Sequence, residues 1–299
     1  MSLAVYKEVK LAVYCIYSNQ VISNADTSRE HIIPLSMGGM DGFEIPVGKE
    51  INKKIGSKID GKVSNDPFIA LDRKNAQVKG HSGKLAQPVW KNVKVGDDKS
   101  PLQIRFNAPG ETEYWCPKTK TTVDKSSLAG ENGEIQLKID ILPPLLFVAK
   151  VALAAGYYVY GEIFKNNADI TSLQDLVNIE QENQAKVLSS SRLRFIDRFR
   201  YEEKDIGDYL MFKEIGELKS CSTVTLMQHQ DGFVIAVSIL GSFLGAIDVG
   251  AQMDHFPNEG AHRQGHVVFL NRENGIETMS FYDAVCIVGE NHGLQPQNC

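Results

Sequence analysis

The chain has 299 residues, 42% of them hydrophobic and 23% charged, a composition typical of a soluble globular protein with one large or two ordinary domains. Its formal net charge of −5 argues against a protein devoted to nucleic-acid binding. Its five cysteines are scattered, odd in number and unpaired by spacing, which excludes a disulfide framework. Because the N-terminus also lacks a signal-peptide pattern, we expect a cytoplasmic protein.

The N-terminal region predicts short strands separated by loops. Residues 10–18 (KLAVYCIYS) are rich in β-forming side chains and predict a first strand. Residues 30–34 (EHIIP) predict a short second strand that ends at its proline, and residues 42–48 (GFEIPVG) predict a possible third.

A helix is predicted next, over residues 49–63. Ile51, Ile55 and Ile59 recur every fourth residue there, so one apolar stripe faces a core and Asn52 lies beside it. Residues 65–68 (NDPF) then predict a turn.

The remainder of the chain predicts a mixed α/β region. Residues 85–142 are β-rich with polar turns, and two helices are predicted afterwards, one over residues 145–161 and an amphipathic one starting at Thr171 or Ser172. Lys150 interrupts the first of these helices, which is too short and too interrupted for a membrane span, so we expect a buried helix and no membrane contact.

Two hairpins are predicted near the C-terminus. Residues 222–240 alternate around the turn Asp231-Gly232, and residues 266–281 alternate around Asn274-Gly275. We expect a first domain over residues 1–90 and a second over residues 91–299, with a weaker boundary near residue 140.

The basic residues are unevenly distributed. Residues 48–94 hold eleven basic and four acidic residues, a net charge of +7, so the rest of the chain carries −12. Such a stripe is typical either of a solvated lysine face or of a surface that contacts a phosphate backbone. If it is the latter, the candidate nucleic-acid-binding residues are Lys53, Lys54, Lys58, Arg73 and Lys84. We expect Lys53, Lys54 and Lys58 to face outward from the predicted helix.

The segment TSREHIIPLSMGG, residues 27–39, places an acid and a histidine side by side. Adjacent side chains of a strand point to opposite faces, so Glu30 and His31 can serve different partners. Phosphodiester hydrolysis needs a cation on the developing charge and an activated water. A carboxylate and a side-chain amide are suitable ligands for Mg²⁺, and a histidine of ordinary pKa is a suitable general base. The alternative is a loop beside a hairpin.

Three segments together resemble the HNH nucleases, which have the ββα-metal fold. They are CIYS, TSREHIIPLSMGG and GKEINKKIGSKID, covering residues 15–60 at the family's spacing. The resemblance implies an α+β protein with an N-terminal ββα-metal domain, followed by the mixed α/β region with antiparallel hairpins. It also implies that Glu30 and Asn52 bind one Mg²⁺ or Mn²⁺ ion and that His31 is the general base.

This sequence departs from the family at its structural zinc, which would need four cysteines. Only Cys15 is present, and the other three positions hold Ser18, Gly48 and Ile51. We therefore expect no structural zinc, and an apolar contact such as Ile51 against the hairpin in its place.

A second departure concerns the family's middle asparagine, which braces the loop and the histidine. Phe43 stands at that position, with Asp41 and Glu44 nearby. Either acid could take over the brace, and the sequence leaves the role open.

The expected activity is that of a metal-dependent endonuclease acting on DNA. The alternative is a degenerate, inactive HNH domain that binds nucleic acid or serves as a scaffold. The C-terminal region could also form a homodimer.

Two other segments have weaker signals. GHSGK, residues 80–84, could be a phosphate-contacting loop, because its two glycines expose backbone N–H groups. A plain turn is the alternative. Residues 254–266 hold three histidines and two acids in a spacing that fits no metal motif, and an ordered loop is the preferred interpretation.

Overall fold

The computed structural model describes residues 12–80, 83–95, 101–108, 110–128, 133–135, 139–229 and 232–294. Over these residues the protein is α+β with antiparallel sheets, as the sequence predicts. Strands and helices are numbered below in chain order.

Two short hairpins open the fold. Strands β1 (Ala12–Cys15) and β2 (Gln20–Ser23) form the first, and β3 (Thr27–His31) and β4 (Glu44–Gly48) form the second. The first strand is shorter than predicted, and residues 10 and 11 lie outside the described part. The sequence did not predict β2.

A continuous helical segment follows β4, as predicted. It consists of α1 (Lys49–Ile55), a π-helical turn (Gly56–Asp60) and α2 (Gly61–Ser64). Ile55 and Ile59 are buried and Ile51 is half-buried, so the predicted apolar stripe faces the core. β3, β4 and α1 therefore form two antiparallel strands followed by a helix.

The loop between β3 and β4 requires its two glycines. Gly38 has φ of +82°, and a Cβ on Gly39 would lie 1.7 Å from the carbonyl oxygen of Ile33. The loop is also fixed to the C-terminal half of the chain, because the Ser222 hydroxyl donates to the carbonyl oxygen of Met37 over 2.6 Å. This anchoring places residues 41–44 beside the end of β3.

The predicted turn at residues 65–68 is confirmed at Asn65 and Asp66, which separate α2 from a further helix that the sequence analysis did not predict. Asp66 caps this helix, α3 (Pro67–Asn75), by accepting from the N–H groups of Phe68 and Ile69, and Pro67 occupies the first helical position.

A five-stranded sheet follows α3 and confirms the predicted β-rich region. Its order is β8-β7-β6-β5-β9, from strands Val89–Val95, Leu102–Ala108, Glu111–Cys116, Thr121–Val123 and Gly133–Ile135, which are β5 to β9 in chain order. Val93, Leu102, Ile104 and Cys116 form its small core.

Helix α4 (Leu142–Tyr160) is the predicted buried helix. By length and composition it could span a membrane, but 67% of its most apolar window is buried within the protein. It packs against later strands and helix α6, which is the arrangement of a core helix in a soluble protein. Three shorter helices follow, α5 (Glu162–Asn167), α6 (Ile170–Val177) and α7 (Gln184–Ser190).

The C-terminal region forms a six-stranded antiparallel sheet with two more helices. Its order is β10-β13-β12-β11-β14-β15. The strands, in chain order, are Arg194–Asp197, Ser222–His229, Gly232–Ile239, Ser242–Gly250, Gly265–Asn271 and Gly275–Ser280, and the helices are α8 (Ile206–Glu217) and α9 (Phe281–Asn291). Both predicted hairpins, β11–β12 and β14–β15, are confirmed, although Asp231 lies outside the described residues.

Both faces of the six-stranded sheet are buried. Phe233, Ile235 and Val237 pack with α4, whereas Val234 and Ala236 pack with α8 and α9. The N-terminal hairpins and α1 to α3 belong to the same core as α4. The N-terminal hairpins and α1 to α3 therefore pack against the C-terminal half of the chain. The division into two domains near residue 90 stays a prediction.

Candidate active site at the end of the second hairpin

His31 is the last residue of β3, and its cross-strand partner is Glu44, the first residue of β4. His31 Nε2 lies 2.8 Å from Glu44 Oε1 and 3.1 Å from Oδ1 of Asp41. The Glu44 side chain is 10% exposed, that of His31 25% and that of Asp41 91%. We call these three residues the His31 triad; it lies at the protein surface, with one largely buried acid, Glu44, and one exposed acid, Asp41.

Arg29 fixes the second oxygen of Glu44. Arg29 precedes His31 by two residues, so both side chains point to the same face of β3. Its Nη1 donates to Glu44 Oε2 over 3.3 Å. The Glu44 carboxylate is therefore held between Arg29 and His31.

The donor atoms of the triad could hold a divalent cation. The ring nitrogen and the two carboxylate oxygens lie within 4.8 Å of one another. A single ring N–H is directed well at one acceptor only, whereas a cation between the three groups would engage all of them. Carboxylates suit Mg²⁺ and Mn²⁺, and an imidazole adds preference for transition metals, so Mn²⁺ fits this set well.

The sequence pointed to Asp41 and Glu44 without assigning a role. The signal that identifies Glu44 is the alternation in EIPV: Ile45 and Val47 are buried, so Glu44 points to the opposite face of β4, the face that carries His31. Phe43, which stands in place of the family's asparagine, is fully buried and packs edge-on against Tyr158.

Glu30 points away from the triad, into the protein. It is 6% exposed, and its Oε1 lies 2.5 Å from Nζ of Lys150 on α4. Lys150 is fully buried, lies 3.3 Å from Oδ1 of Asp60, and donates to the carbonyl oxygens of His31 and Ile32. The Glu30 carboxylate, predicted as a metal ligand, is thus already paired with an internal cation.

The charges of this buried cluster shift one another's pKa values. Burial raises the pKa of Asp60 to about 6, although Lys150 opposes the increase. Burial alone would lower the pKa of Lys150, but the negative charges of Asp60 and Glu30 outweigh it and raise that pKa. Lys150 therefore stays protonated inside the core.

Asn52, the other predicted ligand, contacts the backbone side of β3. Its Nδ2 donates to Ser28 Oγ over 2.9 Å and to the carbonyl oxygen of Arg29 over 3.3 Å. In this arrangement Asn52 braces the strand that carries His31. The structure therefore brings Glu30, His31 and Asn52 to one strand–helix unit, but their side chains serve three different sets of partners.

Lys53 and Lys54 are exposed and Lys58 is half-buried, but two of these three lysines are engaged in ion pairs. Lys54 and Lys58 both form ion pairs with Glu180, the latter over 2.7 Å. Hydrogen bonds from Lys54 and Lys58 lower the pKa of Glu180 to about 2. Glu180, in the segment after α6, therefore lies beside Lys54 and Lys58.

Three of the four zinc-knuckle positions, Cys15, Gly48 and Ile51, lie next to one another. The thiol of Cys15 accepts from the Gly48 N–H over 3.4 Å. A Cβ on Gly48 would lie 3.5 Å from Ile51 and 3.6 Å from Ile22, so both isoleucines close over this point. The first hairpin is thus joined to β4 by apolar contact.

The two segments with weaker signals, residues 80–84 and 254–266, lie mainly in loops over the residues that the structure describes. Gly80 N–H donates to the Lys84 carbonyl oxygen over 2.9 Å, which closes a tight loop, while residues 81 and 82 lie outside the described part. Residues 254–266 form a loop with two short 3₁₀ turns, in which the rings of His262 and His266 stack with centroids 4.8 Å apart.

Comparison of the chain with protein-family models, with curated proteins and with solved structures finds no match. The inference of function therefore depends on the sequence pattern and on the geometry described above.

Proposed function

We propose that this protein is an HNH-like, metal-dependent endonuclease that hydrolyses phosphodiester bonds in DNA, with Mg²⁺ or Mn²⁺ held by the His31 triad. The observation that carries the proposal is the convergence of two carboxylates, Asp41 and Glu44, on Nε2 of His31 at the end of a ββα unit. The surface position of the triad leaves it accessible to a large substrate.

The chemistry of the donor set supports hydrolysis. Three protein ligands leave coordination positions for water and for a phosphate oxygen. A bound divalent cation would supply an acidified water and stabilise charge on the phosphate. Arg29 would keep Glu44 in its orientation, as carboxylates around metal sites commonly require.

This proposal gives His31 the role of a ligand. The arrangement implied by the family resemblance, with His31 as base and Glu30 and Asn52 as ligands, gives the same activity but requires Lys150 to release Glu30. Because that lysine is fully buried and bonded to two backbone carbonyls, we favour the triad.

Cleavage of supercoiled plasmid DNA tests the function. We expect cleavage with Mn²⁺ or Mg²⁺, none with EDTA, and a loss of at least about 10²-fold in His31→Ala and Glu44→Gln. Glu182→Gln is the matched control, because Glu182 is exposed and is not among the described contacts of the His31 triad. A wild-type protein that cuts nothing, or a His31→Ala variant of full activity, would refute the nuclease.

A second candidate function is binding of nucleic acid without cleavage. The pairing of Glu30 with Lys150 favours it, because the acid that the resemblance assigns to the metal is neutralised. Saturable DNA binding by wild-type protein that cleaves with neither cation would support this candidate.

A further inference from the structure

Arg73 on α3 is a buried cation with an incomplete set of partners. It is 8% exposed, its guanidinium donates to the carbonyl oxygen of Ser64 over 2.9 Å, and its buried Nε has no hydrogen-bond partner. Burial lowers the pKa of Arg73. Within the described part of the chain, no carboxylate forms an ion pair with it.

Two other largely buried basic side chains of this protein are neutralised, whereas Lys74, which is 7% exposed, also has no ion pair within the described residues. Lys150 pairs with Glu30 and Asp60, and the Arg198 side chain, 9% exposed, lies 2.6 Å from Asp66. Leaving a buried charge without a counter-charge is costly, and the buried Nε of Arg73 also lacks a hydrogen-bond partner. A missing anion would account for it.

Arg73 lines a cavity of about 290 Å³ between α3 and the start of β5. Lys84 supplies a second positive charge there, Asn65 and Gln87 supply amides, and none of the described lining residues is acidic. Gly80 makes room for the guanidinium, because a Cβ at this position would lie 3.3 Å from Arg73 Nη2. The lining is thus complementary to an anion.

We propose that this cavity binds one phosphate group of a nucleic-acid backbone. An arginine guanidinium matches the oxygens of a phosphate, and a lysine adds a point charge to it. The proposal rests on the proposed function only for the origin of the phosphate, since the charge and shape of the cavity are independent of cleavage at His31.

Binding of inorganic phosphate, measured by titration calorimetry, tests the cavity itself. We expect saturable binding to wild-type protein, weakened at least about tenfold in Arg73→Met and severalfold in Lys84→Met. The control is Arg192→Met, which removes an exposed arginine that has no ion pair among the described contacts. No binding by wild-type protein, or equal binding by all three variants, would overturn the proposal.

The origin of the phosphate is tested with a fluorescein-labelled 12-base-pair DNA duplex in EDTA, by anisotropy over a series of salt concentrations. Each of Arg73→Met and Lys84→Met should lower the slope of log affinity against log salt by about 1, and phosphate should compete with the duplex. If phosphate binds but Arg73→Met leaves DNA binding unchanged, the cavity serves a free phosphate compound and its assignment to nucleic acid is wrong.

Two further variants separate a failure of the cavity proposal from misfolding of Arg73→Met and from a failure of the nuclease proposal. Lys84 is exposed, so Lys84→Met tests the cavity even if Arg73→Met fails to fold, which circular dichroism would detect. His31→Ala should keep full phosphate binding. A protein that binds phosphate but cuts no DNA refutes the nuclease alone, and a protein that cuts DNA but binds no phosphate refutes the cavity alone.

Discussion

The ammonium nitrogen of Lys150 lies 2.5 Å from Glu30 Oε1 in the interior of the protein, on the face of β3 opposite to the side chain of His31. The same ammonium donates to the carbonyl oxygens of His31 and Ile32. A residue of the core helix α4 therefore fixes the strand end that carries the candidate site, and the N-terminal unit depends on a residue about 120 positions later in the chain.

Replacing Lys150 by methionine should destabilise the protein by about 3–5 kcal/mol at neutral pH, because Glu30 and Asp60 would remain buried without their counter-charge. Urea denaturation measures this loss in the free energy of unfolding. Lys62→Met is the control, since Lys62 is exposed on α2, and it should change stability little. A Lys150→Met variant as stable as the control would show that the buried pair contributes nothing.

Stability should also depend on pH through Asp60. Its pKa in the folded protein, about 6, lies above its ordinary value of 3.8. Between these values the folded state holds the proton that the unfolded state has released, so stability falls as pH rises from about 4 to about 6 and is level above that. Each pH unit is worth about 1.4 kcal/mol, which gives a fall of up to about 3 kcal/mol.

The pH effect is isolated by comparing variants. The free energy of unfolding of wild-type protein and of Asp60→Asn is measured from pH 4 to 7. The difference between the two slopes of this free energy against pH is the contribution of Asp60 in its setting beside Lys150 and Glu30. Asp175→Asn removes an exposed acid and should keep the wild-type slope. Equal slopes in wild-type protein and Asp60→Asn would contradict the raised pKa.

Much of the fold was predictable because its signals are local. The two C-terminal hairpins follow from alternation around turn residues, and α4 follows from an apolar run with prolines in its first turn. Helix α3 was not predicted although its signal is also local, because Asp66 before Pro67 is both the end of a turn and the start of a helix.

The candidate site was only partly predictable, because its geometry depends on long-range contacts. That His31 is paired with Glu44 follows from the register of β3 against β4, which the double-glycine loop and its bond to Ser222 determine. A lone lysine in a buried apolar helix predicts a buried carboxylate partner, but not which of the 37 acidic residues it is.

Metal affinity distinguishes the two possible ligand sets. If the His31 triad binds the cation, His31→Ala and Glu44→Gln should each lower the affinity for Mn²⁺ by at least about tenfold, whereas Asn52→Ala should leave it nearly unchanged. Titration calorimetry with Mn²⁺ measures this directly. The reverse result, with affinity lost in Asn52→Ala and kept in His31→Ala, would restore His31 as the base and Asn52 as a ligand.

Glu180 should restrain the binding of DNA by α1. Its carboxylate engages both Lys54 and Lys58, so Glu180→Gln would free two cations and remove one negative charge beside them. If α1 contacts the phosphate backbone, the variant should bind a labelled DNA duplex severalfold more tightly at low salt, with a slope against log salt steeper by up to about 2. Glu182→Gln makes the same change of charge two residues away, at an exposed side chain that contacts neither lysine, and should bind as the wild-type protein does. Identical salt dependence in the two variants would mean that Lys54 on α1 and Lys58 on the π-helical turn pack against the segment after α6 and do not contact nucleic acid.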